Sequence, residues 1–168
     1  ADSLYAGIMI DTNNFLTKTG VRTFEAAAFL RRCGADVTRV RKMFREHVED
    51  YRAKGEAIRN AELFREHFAI SVCPSEGLDS PTVVGAQAAN ELLNIIGVKA
   101  SFVLTDYRNT IYISARSIDE INVQIVMERL GGGGHLNIAG AQLEHYSITE
   151  AKDVLKQTLQ KMLDEGDI

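Results

Sequence analysis

The sequence is poor in the residues and patterns that identify several large classes of protein. Its only two cysteines, Cys33 and Cys73, do not have the spacing of metal ligands. Since no signal peptide is evident, we expect reduced, buried thiols rather than a disulfide. No apolar run approaches the ~20 residues that span a bilayer. The net charge of −4 provides no global basic field for duplex DNA, so any nucleotide contact must be local.

Phosphate-binding motifs of the common kinds are also missing, because neither G-x-x-x-x-G-K-[ST] nor a strand-linked G-x-G-x-x-G occurs. Four consecutive glycines are present instead, at residues 131–134, followed by His135. Each glycine loses much backbone freedom on folding and adds no side chain to a core. Helix termination would explain Gly131 but not the whole run. The run therefore predicts a turn whose backbone amides approach an anion.

A second polar cluster lies upstream, at Ser114-Ala115-Arg116-Ser117. The guanidinium of Arg116 can bind two phosphate oxygens at once, and the flanking hydroxyls add donors. One electrostatic objection applies to the glycine run. It follows a predicted helix C-terminus, where the helix dipole disfavours anions, so the glycine amides must turn back toward the ligand.

The first part of the chain predicts a strand and three helices. Residues 7–11 form a short apolar run that ends in Asp11, as expected of a buried strand in a parallel sheet. Because a parallel strand needs neighbours and none precedes it, we expect a piece of a longer protein. Thr23 is a candidate cap for a helix that reaches Cys33 and ends at Gly34. Asp36 opens the next helix, and residues 47–65 predict a helix connecting two domains.

The remainder alternates between strand and helix patterns, which predicts an α/β unit with a mixed sheet. Ser80-Pro81 is an N-cap followed by proline at the first helical position. Ser147 and Glu150 form a capping box. The expected strands are 68–72, 98–105, 110–115 and 139–146, with a hairpin turn at 106–109; the expected helices are 81–96, 120–130 and 148–165.

The order of these features resembles the DHH phosphoesterase family. The resemblance rests on Asp11-Thr12-x-x-Phe15, the connecting helix, the serine–arginine cluster and the glycine run. The resemblance implies the tail of a parallel-sheet catalytic domain at 1–46, a linker helix at 47–65 and a DHH-associated substrate-binding domain at 66–168. Residues 22–27 and 114–135 are most similar to GdpP-type enzymes. These are bacterial, membrane-anchored phosphodiesterases that hydrolyse cyclic di-AMP to a linear dinucleotide.

The resemblance also implies roles for individual residues. Asp11 matches the last aspartate of a site that holds two manganese ions, and carboxylate oxygens suit Mn²⁺. His47, His67 and His145 match no ligand of the family. Because the upstream His-x-Asp-x-Asp and Asp-His-His motifs are absent, we expect no catalytic competence from this chain alone. The implied substrate-binding residues are Ser114, Arg116, Ser117, Gly132, Gly133, Gly134, His135, Asn137, Ala139 and Gly140.

Two further interpretations stay open beside a cyclic di-AMP phosphodiesterase. One is an oligoribonuclease of the same family, which acts on very short RNA and lacks membrane segments. The other is a non-catalytic RNA-binding module of the kind found beside alanyl-tRNA synthetases, for which an aromatic content of 7% is low. We expect a cyclic dinucleotide or short oligonucleotide as partner, a cytoplasmic location and no membrane contact from this segment. A homodimer remains an open alternative.

Overall fold

The computed structural model describes residues 1–118 and 120–168, which divide into two compact units, Ala1–Glu46 and His47–Ile168. In these residues, no helix combines the length and apolarity needed to cross a bilayer. The amino-terminal unit contains α1 (Asp2–Asp11), α2 (Val21–Arg32) and α3 (Val37–Met43). The carboxy-terminal unit contains α4 (Val48–Arg59), β1 (Glu62–Phe64), β2 (Phe68–Cys73), α5 (Pro81–Leu92), β3 (Ala100–Tyr107), β4 (Thr110–Ser117), α6 (Val123–Arg129), β5 (Gly133–His135), β6 (Ile138–Glu144) and α7 (Ile148–Glu165).

The prediction of a strand at residues 7–11 is wrong, because this run is the second half of helix α1. A run of four apolar residues fits a buried strand and a helix equally well, so its periodicity could not decide between them. The helix extends back to Asp2, whose carboxylate accepts hydrogen bonds from the amide of Asp36 and from Nε of Arg39, both at 2.8 Å. Asp11 is therefore the exposed last residue of a helix and does not end a strand of a sheet.

Local signals at the helix ends of the amino-terminal unit were mostly correct. Asp36 caps α3 through hydrogen bonds from two backbone amides of its first turn. Gly34 has φ +93° and follows the last turn of α2, as expected of a helix stop. The cap predicted at Thr23 is misplaced by one turn, since α2 begins at Val21 and the Thr23 hydroxyl accepts from the amide of Gly20. Cys33 is exposed, which corrects the expectation of two buried thiols.

The carboxy-terminal unit is built on a six-stranded sheet of order β1-β2-β3-β4-β6-β5. Strands β2 and β3 are parallel and are joined through α5, whereas the other neighbours are antiparallel. The predicted mixed α/β fold is thereby confirmed. Arg108 and Asn109 join β3 to β4 with φ of 52° and 60°, the left-handed conformation of a two-residue hairpin turn. Strand β3 runs two residues closer to this turn than expected, whereas β4 begins at Thr110 as predicted and ends two residues later.

The two faces of the sheet bury different helices. Helices α6 and α7 cover one face, where apolar helix residues such as Leu155 pack on alternate residues of the strands, such as Phe102 and Ile113. Helices α4 and α5 pack on the other face over β2 and β3. The expected helix at 47–65 ends at Arg59 and is followed by β1, and the helix expected to reach residue 96 ends at Leu92.

Helix α7 confirms the capping box at its start and the glycine at its end. The Ser147 hydroxyl accepts from the amide of Glu150, and the Glu150 carboxylate accepts from the amide of Ser147 at 2.8 Å. The amide of Ser147, and its hydroxyl at 2.7 Å, both donate to the Glu150 carboxylate and lower the pKa of that carboxyl from its ordinary value. Gly166 then ends the helix with φ +75°.

Close packing of α5 on β3 requires a glycine. A β-carbon added to Gly85 would lie 2.4 Å from the hydroxyl oxygen of Thr105, which is buried. Gly85 therefore lets the helix axis approach the strand. A β-carbon added to Gly55, in the middle of α4, would have no atom within 4 Å, so Gly55 is a matched control for substitution of a helical glycine.

We expect the two helical glycines to respond oppositely to substitution by alanine. Gly55→Ala should raise the free energy of unfolding by about 0.5–1 kcal/mol, since it removes the conformational cost of a glycine. Gly85→Ala should lower it by about 1–3 kcal/mol, because the new methyl overpacks the helix–strand contact. Urea unfolding of both variants measures the difference. A Gly85→Ala variant as stable as Gly55→Ala would contradict this account of the contact.

Candidate functional site

A cleft lies on the part of the sheet that α4 and α5 leave uncovered. These helices pack over β2 and β3, and α5 also contacts β4 beside Arg116, so the open part of this face is formed by the rest of β4 with β6 and β5. The cleft encloses about 480 Å³. Its lining consists of Thr82, Tyr112, Ile113, Ser114, Gly131, Gly132, Gly133, Gly140, Ala141 and Gln142.

The floor of the cleft is a row of small residues across three strands. Gly133 on β5 is paired with Gly140 on β6, and Gly140 is paired with Ser114 on β4. Directly opposite residues in antiparallel strands share a face, so the largest side chain in this row is a hydroxymethyl group. The backbone of these strands is therefore accessible from the cleft.

The first two glycines of the run end helix α6. Gly131 has φ +77°, its amide donates to the carbonyl of Glu128 at 3.0 Å, and the amide of Gly132 donates to the carbonyl of Met127 at 2.8 Å. These two hydrogen bonds satisfy carbonyls at the helix C-terminus. The amides of Gly131 and Gly132 consequently point back to the helix, so the predicted anion-binding turn does not include them.

The next glycines form an edge strand pressed against β6. A β-carbon on Gly132 would lie 2.1 Å from the carbonyl oxygen of Gly140, and one on Gly134 would lie 2.5 Å from that of Ile138. Gly134 also has φ +148°. Gly133 differs from both, since a β-carbon there meets nothing within 4 Å. Packing thus explains Gly132 and Gly134, whereas Gly133 is glycine at an open position of the cleft.

Arg116 lies on the same face as Ser114, two residues further along β4. Its Nε donates to Oδ1 of Asn90 on α5 at 3.0 Å, and its Nη1 donates to the carbonyl of Ala115 at 2.8 Å. The side chain is half-buried, and this burial lowers the pKa of the guanidinium from its ordinary value. No acidic side chain among residues 1–118 and 120–168 forms an ion pair with it. The site thus holds a partly desolvated cation without a carboxylate partner in that part of the chain.

His135 shares a row with Arg116. It is paired with Ile138, and Ile138 is paired with Arg116, so all three side chains are on the face of the cleft. Adjacent strands are about 4.8 Å apart, which places the backbones of His135 and Arg116 about 10 Å from each other. His135 is exposed on the edge strand. An anion bound between the two side chains could contact Arg116 on one side and His135 on the other.

Three of the predicted substrate-binding residues do not present side chains to the cleft. Ser117 is buried on the opposite face, where its hydroxyl donates to Oδ1 of Asn137 at 3.3 Å. Asn137 lies in the turn between β5 and β6, and its carbonyl accepts from the amide of Ser117 at 3.1 Å. Ala139 is packed in the core under α6 and α7. The alternation of β4 separates Ser117 from Ser114 and Arg116, and this separation could have been read from the sequence.

Other residues that line the cleft were missed by the sequence analysis. Tyr112 shares the face of Ser114 by the same alternation, so the β4 pattern carried a usable signal for it. Gln142 is directly opposite Tyr112 in the register of β4 and β6. Thr82, in the first turn of α5, reaches the cleft only through the packing of the helix on the sheet. Alternation along β6 also places Gln142 on the face of Gly140, whereas nothing in the local sequence indicated Thr82.

The residues present do not fit a two-metal centre. Asp11 is exposed at the end of α1, and its single carboxylate supplies too few oxygens for two ions. Within the described ranges, no group of three or more histidine, cysteine, aspartate or glutamate side chains is arranged to hold a metal. We therefore derive no chemical step through a metal from this chain.

Comparisons with known proteins show which proteins the chain resembles. The chain is 42% identical over 168 residues to the cyclic-di-AMP phosphodiesterase GdpP of Bacillus subtilis, and 42% identical over 156 residues to the cyclic-di-AMP phosphodiesterase PdeA of Listeria monocytogenes. These alignments cover 99% and 92% of the chain but 26% and 24% of the relatives, so the chain spans about a quarter of their length.

A solved structure supports the same fold. An exopolyphosphatase-related protein from Bacteroides fragilis superposes with a TM-score of 0.82 at 23% identity, over 92% of this chain and 48% of that one. The DHHA1 domain family matches residues 67–162, which include all strands from β2 to β6 and the whole cleft lining. This match covers more than half of the chain and confirms the resemblance to a DHH-associated domain. The chain belongs to the DHHA1 domain family.

Proposed function

We propose that the carboxy-terminal unit binds a cyclic dinucleotide, cyclic di-AMP, for a phosphodiesterase that hydrolyses it to a linear dinucleotide. The observation that carries the proposal is Arg116, a half-buried cation with no acidic partner in the described residues, beside a floor of glycine and serine. Burial without a counter-charge is costly unless an anion completes the site. A phosphodiester placed on the row of Arg116 would supply that anion.

The geometry of Arg116 favours a phosphate over a generic anion. Of the five N–H donors of a guanidinium, the contacts to Asn90 and Ala115 use two. The remaining donors are available as a planar fork, which matches two oxygens of a phosphate. The hydrogen bond to Asn90 fixes one edge of the guanidinium, so the Arg116 side chain loses less conformational freedom when a ligand binds.

The choice of cyclic di-AMP rests on the relatives. The proteins from Bacillus subtilis and Listeria monocytogenes are cyclic-di-AMP phosphodiesterases, and their sequences align with nearly the whole chain. Since the chain spans about a quarter of each relative, the activity belongs in our proposal to a larger protein. In such a protein we infer a manganese centre to which Asp11 contributes one carboxylate and residues outside this chain contribute the others.

We expect Arg116→Ala to weaken the binding of cyclic di-AMP by about 1.5–3 kcal/mol, the range for a hydrogen bond to a charged group. Arg116→Lys should fall between this variant and the parent, because lysine keeps the charge but lacks the fork. His135→Ala should have a smaller effect, since it removes one exposed donor. Isothermal titration of the 168-residue chain measures the series. Arg52→Ala, which removes an exposed arginine from α4, is the control for net charge.

An Arg116→Ala variant that binds as tightly as the parent would overturn the role of this residue. A parent chain that binds neither cyclic di-AMP nor its linear product would overturn the proposed function. Tighter binding of a short oligoribonucleotide than of cyclic di-AMP would favour an oligoribonuclease instead.

The open position of Gly133 allows the cleft to be filled without strain. Gly133→Val should abolish binding of cyclic di-AMP while the melting temperature changes little, because the added side chain occupies the cleft and meets no atom within 4 Å at its β-carbon. Gly134→Val should instead unfold the domain, since φ is +148° and the β-carbon would strike β6. Titrations and thermal melts of both variants test this contrast. Normal binding by Gly133→Val would show that the ligand does not use the floor.

The last expectation concerns catalysis. Incubated with Mn²⁺ and cyclic di-AMP, the 168-residue chain should bind the ligand but release no linear dinucleotide, because its described residues provide no metal centre. Chromatography of the nucleotides measures turnover against a control without protein. Turnover that persists after repurification would contradict the assignment of the missing ligands to residues outside this chain.

A further inference from the structure

The cleft beside Arg116 has an uncharged lining. Its polar groups are hydroxyls, the amide of Gln142 and the glycine backbone, and no lysine, arginine, aspartate or glutamate contributes to it. A site for a second phosphate would be expected to present a cation. A neutral and partly aromatic lining is instead typical of a pocket for a planar, uncharged group. The cleft and Arg116 therefore differ in the chemistry that they can accept.

Tyr112 and Gln142 form the wall of the cleft on the side away from Arg116. They are directly opposite each other on β4 and β6, so their side chains are neighbours on the face of the cleft. Tyr112 is half-buried, and its ring packs at 51° against that of Tyr107, with a centroid distance of 6.4 Å. Tyr107 therefore supports the ring from one side. The Gln142 side chain is exposed to the cleft.

These two side chains have the chemistry of a base-binding pair. An aromatic ring can stack on any nucleobase. A glutamine amide offers one acceptor and one donor side by side, which complements the amino group and N7 of adenine. Guanine presents two acceptors on the same edge, so the same amide fits it less well. The pair would thus distinguish adenine from guanine.

The spacing along β4 fits one nucleotide. Tyr112, Ser114 and Arg116 alternate on one face, and each step of two residues is about 6.6 Å. A base at Tyr112 and a phosphate at Arg116 would leave the sugar over the small floor at Ser114. In this order the aromatic ring of Tyr112 contacts the base, the small Ser114 leaves room for the sugar, and the guanidinium of Arg116 contacts the phosphate.

We propose that the cleft is the nucleoside subsite of the dinucleotide site, in which Tyr112 stacks on an adenine base and Gln142 hydrogen-bonds to its edge. The inference rests on the proposed function, since it assigns the parts of the same ligand. Beyond the proposed function, it assigns Gln142 as the residue that determines base specificity.

Titration of two ligands into matched variants tests the inference. The parent chain should bind cyclic di-AMP more tightly than cyclic di-GMP. Gln142→Ala should reduce this preference about tenfold, mainly by weakening cyclic di-AMP. Tyr112→Ala should weaken both ligands about tenfold, the order expected for loss of one stacked base, and Tyr112→Phe should restore them. Gln157→Ala on α7 and Tyr51→Ala on α4, both exposed, are the matched controls.

The outcomes separate this inference from the proposed function. If the parent binds cyclic di-AMP and Arg116→Ala weakens it, but Gln142→Ala and Tyr112→Ala keep the parent's affinities and preference, the nucleoside subsite is wrong and the proposed function stands. Equal affinity of the parent for both ligands would also overturn the role of Gln142. A parent that binds neither ligand would overturn both proposals. Because Gln142 is exposed, its substitution tests the inference even if Tyr112→Ala fails to fold.

Discussion

The close contact between helix α5 and strand β3 determines where the candidate site lies. Gly85 faces Thr105 at a distance that leaves no room for a β-carbon, and the Ser101 hydroxyl donates to the carbonyl of Ala89 at 2.6 Å. The helix is therefore held over β3, and it contacts β4 beside Arg116 but leaves the rest of that face open. The same placement puts Thr82 at the cleft and Asn90 beside Arg116. One helix–strand contact thus leaves the sheet open and orients the cation next to the opening.

The glycine run contains four residues with three different structural roles. Gly131 ends α6, Gly132 and Gly134 allow the edge strand to touch β6, and Gly133 has no neighbour that requires a glycine. A run of glycines is therefore not in itself a phosphate-binding loop. Its effect is to bring a thin edge strand onto β6, so that the floor of the cleft has almost no side chains. We therefore propose Arg116 as the group that binds phosphate, because this half-buried cation has no acidic partner in the described residues.

Local chemistry made part of this structure predictable. The capping box at Ser147, the helix stop at Gly34 and the hairpin between β3 and β4 are encoded by residues close in sequence. The face shared by Ser114 and Arg116 follows from strand alternation, and the same rule excludes Ser117. By contrast, residues 7–11 have no periodicity that separates helix from strand. The glycine-rich sequence of β5 is typical of a loop, and its strand conformation comes from pairing with β6. The Asn90–Arg116 contact joins residues 26 apart and needed the tertiary fold.

The central claim is that a nucleotide lies on the face of β4, β6 and β5 that α5 leaves open. An NMR titration of the 168-residue chain with cyclic di-AMP tests it most directly. We expect the largest shifts at the amides of Gly133, Gly140 and Ser114 and at Nε–H of Arg116, with little change on α7, which covers the opposite face. Shifts concentrated on α7, or absent from the floor of the cleft at saturating ligand, would contradict it.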